Sequence, residues 1–597
     1  MKRFNRINLF GVIFSVIAML IIFQMLRIQL FVSGKPLRED LETRLSDVSI
    51  SLDPERGGIY DRWGHQLAGN RKVYEIGVDL VQIRDGTRDA KVIAEEVSKV
   101  LDIDYYEVLK IVETPWATTS QYLIIADFIE PEKISSLDEI KRDYDDNPEK
   151  YILADEKVSP NLDALHWSPH LLRTYPETTL GFNILGFYRF LDREKGTPVY
   201  GIEEFYDDLL AGTPSEFVIS RDIEKTNGLP YIPPGASLYL TIDREIQSMT
   251  EEILTNAVNA NKAESGTAII MDPSNGEILA LAIAPQMDIN LYWEAYPKIK
   301  ESRTYNRAID VTYEPGSIFK VLTMAAALDS GSVVPETQFL DTGSIEVGGY
   351  HIYNWDRSAW GPQDMQGCMQ HSLNVCLAWI ATEKLGAKDF YDYMDAFGIG
   401  HRSNVDLAGE KFTPLSIPGD SGWYPVNLGT NSFGQGVAVA PIQMISAVSA
   451  VANGGEIMAP HILKSVVTED QRIDIPARVI GTPITAETAE TLTQMLAVSL
   501  ESEASTALVD GYTVAGKTGT AEIPGPNGYE TELTNASFIG WGPTDNPRFV
   551  VFVWIEKPES SPWGSIVAAP IFSNIVRELV ILMDIPPDHI RNELASQ

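Results

Sequence analysis

The chain is short of cysteine, of histidine and of positive charge, and each shortage closes off a class of function. Two cysteines, Cys368 and Cys376, occur in 597 residues, so no disulfide framework can hold the fold. If both lie on one helix they are about 12 Å apart along its axis, too far to bridge, and they read as small buried apolar residues. The eight histidines form neither H-E-x-x-H nor a Cys/His ligand pattern, so no metal site and no cofactor are expected. Lys and Arg number 47 against 83 Asp and Glu, a formal charge of -36. Such a surface does not displace counterions from phosphates, which argues against a nucleic-acid binder.

Long apolar runs are scarce too, and one stands out. From Ile7 to Leu26 no residue is charged, and Lys2, Arg3 and Arg6 precede it. Length and flanking charge predict a transmembrane helix over 7–30 behind a cytoplasmic tail at 1–6. The expected location is then the cytoplasmic membrane, single-pass, N-terminus inside and the rest outside. A signal peptide cleaved near Val32-Ser33-Gly34 is the competing reading. No other run is expected to approach that length.

The length leaves room for at least two domains. Residues 33–235 alternate short β-rich runs with turn-rich segments, ending at "NGLPYIPPGAS", 227 to 237. A second domain is expected over 236–582, with a polar tail at 583–597. It begins with "TIDREIQSMTEEILTNAVNANKA", an amphipathic helix with Thr241 as a possible N-cap. Two β-rich runs around Pro273-Ser274-Asn275-Gly276 follow. The fold class read from this pattern is α+β.

The chemistry sits in three short stretches. "YEPGSIFKVLTMAAALDSG", 313 to 331, reads as a helix apolar nearly all round, in which a lysine is costly without work or a partner. Ser317 and Lys320 are i and i+3, on one face. A serine hydroxyl attacks poorly until something accepts its proton, and a desolvated, uncharged lysine can. Next, "MQHSLNVCLAWIATEKLG" carries Ser372 and Asn374 as S-x-N. Alone, Ser372 reads as a helix cap. Beside the first pair it can relay a proton, and Asn374 can bind Lys320 and a substrate backbone.

The third stretch, "GYTVAGKTGT" at 511 to 520, fits two motifs. From Gly511 it matches a phosphate-binding loop; from Lys517 it is K-T-G followed by Thr520. A phosphate loop needs a helix beginning at Lys-Thr, and "GTAEIPGPNG" cannot open one. The segment is therefore expected to be a strand, with Lys517 and Gly519 on one face and Thr518 and Thr520 on the other. Glycine at 519 leaves space for a ligand to approach the backbone.

S-x-x-K, S-x-N and K-T-G in this order resemble the penicillin-binding proteins and serine β-lactamases. "RGGIYDRWGHQLA" (56–68), "GIEEFYDDLLAGTPS" (201–215), "GTAIIMDPSNGEILALA", "NRAIDVTYEPGSIFK" and "SFGQGVAVAPIQM" are similar to class B penicillin-binding proteins. The resemblance implies an elongated β-rich pedestal before a transpeptidase domain, an antiparallel sheet flanked by helices. It implies Ser317 as acylated nucleophile, Lys320 as proton acceptor, Ser372 as relay, Asn374 as substrate and lysine contact, and Lys517 as electrostatic partner. Thr518 and Thr520 would hold the substrate carboxylate, and the N–H groups of Ser317 and Thr520 the oxyanion. The implied activity is a D,D-transpeptidase cross-linking peptidoglycan stem peptides and acylated by β-lactams. No E-D-x-x-F-x-x-H glycosyltransferase pattern is present, so the resemblance implies a SEDS-type membrane glycosyltransferase and division or elongation proteins as partners. A β-lactamase, a β-lactam sensor, an idle division scaffold and a phosphate-loop enzyme are the competing readings.

Overall fold

The computed structural model describes residues 6–27, 48–115, 121–190, 196–219, 231–302, 304–525 and 528–596. Lys2, Arg3, the Val32–Gly34 stretch and the first part of the 227–237 break lie outside them. The chain divides into two compact units, one of Met1–Glu55 with Ala211–Gly235, the other of Arg56–Leu210 with Ala236–Gln597. In the first, strands Val48–Leu52 and Ser215–Ile219 pair antiparallel.

The second unit holds the catalytic sheet. Its elements are α1 (Arg244–Asn261), β1 (Ser265–Met271), β2 (Ile278–Ala284), α2 (Lys320–Asp329), α3 (Met365–Gln370), α4 (Asn374–Trp379), α5 (Ala486–Glu503), β3 (Ala515–Gly525), β4 (Gly528–Gly542), β5 (Phe549–Glu556) and α6 (Gly564–Leu582). The strands form an antiparallel sheet in the order β2-β1-β5-β4-β3, with β3 at an edge. β1 and β2 are buried along their whole length, because both faces are covered. Alternate residues serve different cores: Ala268 and Ile270 face α1 and α6, whereas Ile269 and Met271 join Phe319, Val321 and Leu322. The sheet is thus the middle of three layers. The cap of α1 is Asp243, whose carboxylate accepts from Glu245 N and Ile246 N. Thr241, expected there, is buried and donates to the Ile278 carbonyl at 2.7 Å.

The expected membrane helix at the N-terminus is corrected. A helix does form, Arg6–Arg27, but the part of it whose side chains are described, Phe14–Met25, is shorter than a membrane span. The one described helix long and apolar enough to cross a membrane is α6, near the C-terminus. Its apolarity has a local cause: Val567, Ile571, Phe572, Ile575 and Leu579 pack into the core beneath the sheet, and 56% of its apolar window is buried in the protein. The location inferred from an N-terminal span falls with that span.

The β-rich pedestal is built on the long strand Gln66–Asp79, which pairs with Ile59–Tyr60, Tyr122–Ile129 and Leu165–Thr174. Its sheet does not stop there. Ile59–Tyr60 pairs parallel with Ser237–Leu240, which pairs with Leu463–Val467. Beside this junction Glu203 is wholly buried between two guanidinium groups. It accepts from Arg173 Nε at 2.7 Å and Arg56 Nε at 2.7 Å, while Arg173 also donates to the Gly57 carbonyl. Burial alone would raise the Glu203 pKa; Arg173 and Arg56 outweigh it and hold the carboxyl below its usual value.

A carboxylate with a depressed folded pKa stabilises above its unfolded pKa, and that contribution is lost as pH falls through the folded value. Removing it leaves the buried Arg173 without a carboxylate and Arg56 with Asp207 alone. Glu203→Ala is expected to destabilise the chain by about 3–5 kcal/mol, read as a lowered urea midpoint. A loss below about 1 kcal/mol would show that the cluster behaves like a surface pair.

Candidate active site

Ser317 sits on a 3₁₀ turn, Gly316–Phe319, that runs directly into α2 at Lys320. The sequence pattern suggests one continuous helix; the tighter first turn has a consequence, because 3₁₀ geometry eclipses residues i and i+3. Ser317 and Lys320 still share a face. Gly316 has φ +58°, and a Cβ there would stand 2.8 Å from the Thr520 carbonyl oxygen. The turn therefore lies flat against β3, and its N–H donates to the Gly434 carbonyl at 3.2 Å.

Lys320 is fully buried. Its Nζ reaches three oxygens: the Ser372 carbonyl at 2.6 Å, Asn374 Oδ1 at 2.8 Å and Ser372 Oγ at 3.1 Å. Burial pushes its pKa well below the ordinary lysine value, and the positive charge of Lys517 pushes the same way. The three partners suit an uncharged amine. Two of the oxygens can only accept, and they take its two N–H bonds; the Ser372 hydroxyl can turn and donate to the lone pair.

Ser372 is not a helix cap. It lies between α3 and α4 with φ +52°, a left-handed conformation uncommon for a residue with a side chain. That turn folds the two short helices back on each other and overturns the reading of the cysteines. Cys368 on α3 and Cys376 on α4 are joined by a disulfide, Cα to Cα 6.0 Å, across the Ser372 turn. The 12 Å estimate assumed one straight helix, and the chain does not make one.

The "GYTVAGKTGT" stretch forms edge strand β3 from Ala515 and remains a strand to Gly525, so no helix opens at Lys517 to hold a phosphate. The alternation is as expected: Lys517 and Gly519 are buried, Thr518 and Thr520 half-buried. The Lys517 ammonium lies 3.3 Å from the Thr518 carbonyl, and the Thr520 hydroxyl accepts from Gly564 N at 3.1 Å. Gly519 differs from expectation. A Cβ there would strike the Ser537 hydroxyl and sit 3.0 Å from Ile318. The missing side chain lets β3 pack against the S-x-x-K turn, and no ligand space opens at that point.

Lys320, Ser372 and Asn374 are hydrogen-bonded together, Lys517 acts electrostatically on Lys320, and the Ser317 turn packs on the K-T-G strand. One contact has no motif behind it: the Tyr353 carbonyl accepts from Asn374 Nδ2 at 3.2 Å.

The penicillin binding protein transpeptidase domain matches residues 266–577, and the penicillin-binding protein dimerisation domain residues 51–226. The chain belongs to the penicillin-binding protein transpeptidase family. As a member it is a serine-type D,D-transpeptidase with a dimerisation-type pedestal. Stage V sporulation protein D of Bacillus subtilis (strain 168) is 32% identical over 604 residues, 97% of this chain and 86% of that protein. Peptidoglycan D,D-transpeptidase FtsI of Escherichia coli (strain K12) is 29% identical over 471 residues, 76% of each. Penicillin binding protein 3 of Mycobacterium tuberculosis, solved in complex with aztreonam, has the same fold, with TM-score 0.66 and 24% identity over 90% of this chain and 98% of that one.

The close approach at Gly316 can be tested. Gly316→Ala adds a Cβ against the Thr520 carbonyl and forces a non-glycine residue into left-handed backbone. Labelling by a fluorescent penicillin is expected to slow roughly 10- to 100-fold in the folded variant; an unchanged rate would mean the turn moves without consequence.

Proposed function

We propose that Ser317 is the nucleophile of a D,D-transpeptidase that cross-links peptidoglycan stem peptides, and that Lys320 is the base that activates it. The observation supporting this is the amine of Lys320, fully buried, beside a second lysine, with two acceptor-only oxygens and one hydroxyl around it. Ser317 Oγ attacks the carbonyl of the D-Ala-D-Ala amide as its proton passes to Lys320. Ser372 returns a proton to the leaving D-Ala nitrogen when the tetrahedral intermediate collapses. An amine of a neighbouring stem then takes the acyl group from Ser317, its proton passing through the same Lys320–Ser372 pair to the departing Ser317 oxygen. The N–H groups of Ser317 and Thr520 stabilise the oxyanion in both tetrahedral steps. Thr518 and Thr520, with Lys517 behind them, hold the terminal carboxylate, and Asn374 contacts the peptide backbone. A β-lactam enters the same path and stops at the acyl-enzyme.

The domain limits that go with this reading are 33–235 for the pedestal, 236–582 for the catalytic domain and 583–597 for the tail. Glycan polymerisation comes from a SEDS-type membrane glycosyltransferase that meets the pedestal, together with division or elongation proteins. The support is the family resemblance and the lack of a glycosyltransferase motif in the chain.

Labelled penicillin followed by peptide mapping is expected to give one adduct, on Ser317, and none in Ser317→Ala; an adduct on another residue removes the reading. Lys320→Arg keeps the charge but cannot give up a proton, so labelling should slow by roughly 10²- to 10⁴-fold. Because the Lys320 pKa is lowered, the wild-type labelling rate should rise with pH through a midpoint well below that of free lysine. A rate that climbs only near the free-lysine value would place the base elsewhere.

A further inference from the structure

Between α2 and α3 the chain makes a small insert of short strands: Phe339–Asp341 pairs with Gly361–Gln363, and Ser344–Val347 with Tyr350–Tyr353. No motif in it announces a role. At its centre lies Asp341, a carboxylate with 1% of its surface exposed. A buried carboxylate is costly unless its oxygens are filled. Asp341 accepts from Gly343 N at 3.3 Å, Trp360 N at 2.8 Å and Asn354 Nδ2 at 2.8 Å. Asn354 is 2% exposed, and its amide is oriented by that bond and by a second from Nδ2 to the Ser358 carbonyl at 3.1 Å.

With both amide protons directed inward, Asn354 Oδ1 points out of the insert. It accepts from Val375 N at 3.2 Å, in the first turn of α4. The residue at the N-cap position of α4 is Leu373, which has no side-chain acceptor, so Asn354 supplies from 21 residues away what the local sequence omits. Its neighbour Tyr353 completes the grip through its carbonyl, which accepts from Asn374 Nδ2. A carbonyl only accepts, so it forces the amide nitrogen of Asn374 toward itself and the amide oxygen toward Lys320. Val347 and Ile352 of the same insert pack with Ala378 of α4.

We propose that Asn354, held by Asp341, is a positioning residue for transpeptidation: it fixes the start of α4 so that Asn374 presents its oxygen to the Lys320 amine. The inference rests on the reading of Lys320 and Asn374 given above. Without Asn354 the Val375 N–H loses its acceptor and the first turn of α4 can shift, although Cys376 and Ala378 still hold the rest of the helix. Asn374 can then rotate and turn an N–H toward Lys320, where it competes with the lysine's own donors.

The test is the rate of labelling of Ser317 by fluorescent penicillin in the full chain. Asn354→Ala is expected to label the same serine roughly 10- to 100-fold more slowly. Asn354→Asp separates positioning from bulk stability. Two adjoining buried carboxylates share a proton, and the protonated pair reproduces the original donor to Asp341 and acceptor for Val375 N. The Asn354→Asp rate divided by the wild-type rate should therefore rise as pH falls from about 8 to about 6. A merely structural defect gives a flat ratio, and a flat ratio overturns the proposal. So does labelling of Asn354→Ala within about twofold of wild type. If Asn354→Ala does not fold, the Asn354→Asp ratio decides alone. Absence of label from wild-type Ser317 would instead sink the catalytic reading, which keeps the two failures apart.

Discussion

An amine without a counter-ion is the constraint around which the catalytic half is arranged. Among the described residues no carboxylate pairs with Lys320; its neighbours are a carbonyl, an amide oxygen, a hydroxyl and, at longer range, another lysine. In water such a group would carry a proton, and in this setting burial and like charge both work against one. The surrounding architecture keeps it so. The S-x-x-K turn lies against the edge strand through glycines at 316 and 519, which leaves Lys517 near enough to act on Lys320.

Three supports converge on the turn that carries Ser372. The first is the disulfide between α3 and α4, which closes the turn from below. The second is the backbone of Ser372 itself, held left-handed. The third is the insert, through Tyr353 and Asn354. A residue in left-handed backbone persists when its surroundings over-determine it, and here they do.

Local rules carried the sequence reading some distance. The i, i+3 spacing of Ser317 and Lys320, the strand character of "GYTVAGKTGT" and the α+β pattern follow from periodicity and from where glycine and proline stand. The family and its activity follow from the order of the three motifs. What was not legible depends on chain reversals. The Cys368–Cys376 bridge requires the turn at Ser372, and no residue there advertises positive φ. Asn354 and Asp341 lie 21 and 34 positions before Val375, and only the tertiary fold brings them to it. Thr241 was read as the helix cap, but its hydroxyl is taken up inside by the Ile278 carbonyl, and Asp243, a stronger cap by type, holds the position. The N-terminal run was read from its length and flanking charge, whereas the membrane-length helix of the described chain is a core helix whose apolar residues serve the sheet.

The pedestal sheet has a consequence for the order in which the molecule can be completed. Its strand at Ser237–Leu240 lies between Ile59–Tyr60 and Leu463–Val467. A nascent chain shorter than about 460 residues can assemble the N-terminal side of that sheet but leaves the 237–240 strand with a bare edge. Until translation delivers the missing neighbour, those amides must stay solvated or be shielded by a chaperone, so the arrival of residues 463–467 governs when the 237–240 strand is safe from misassociation.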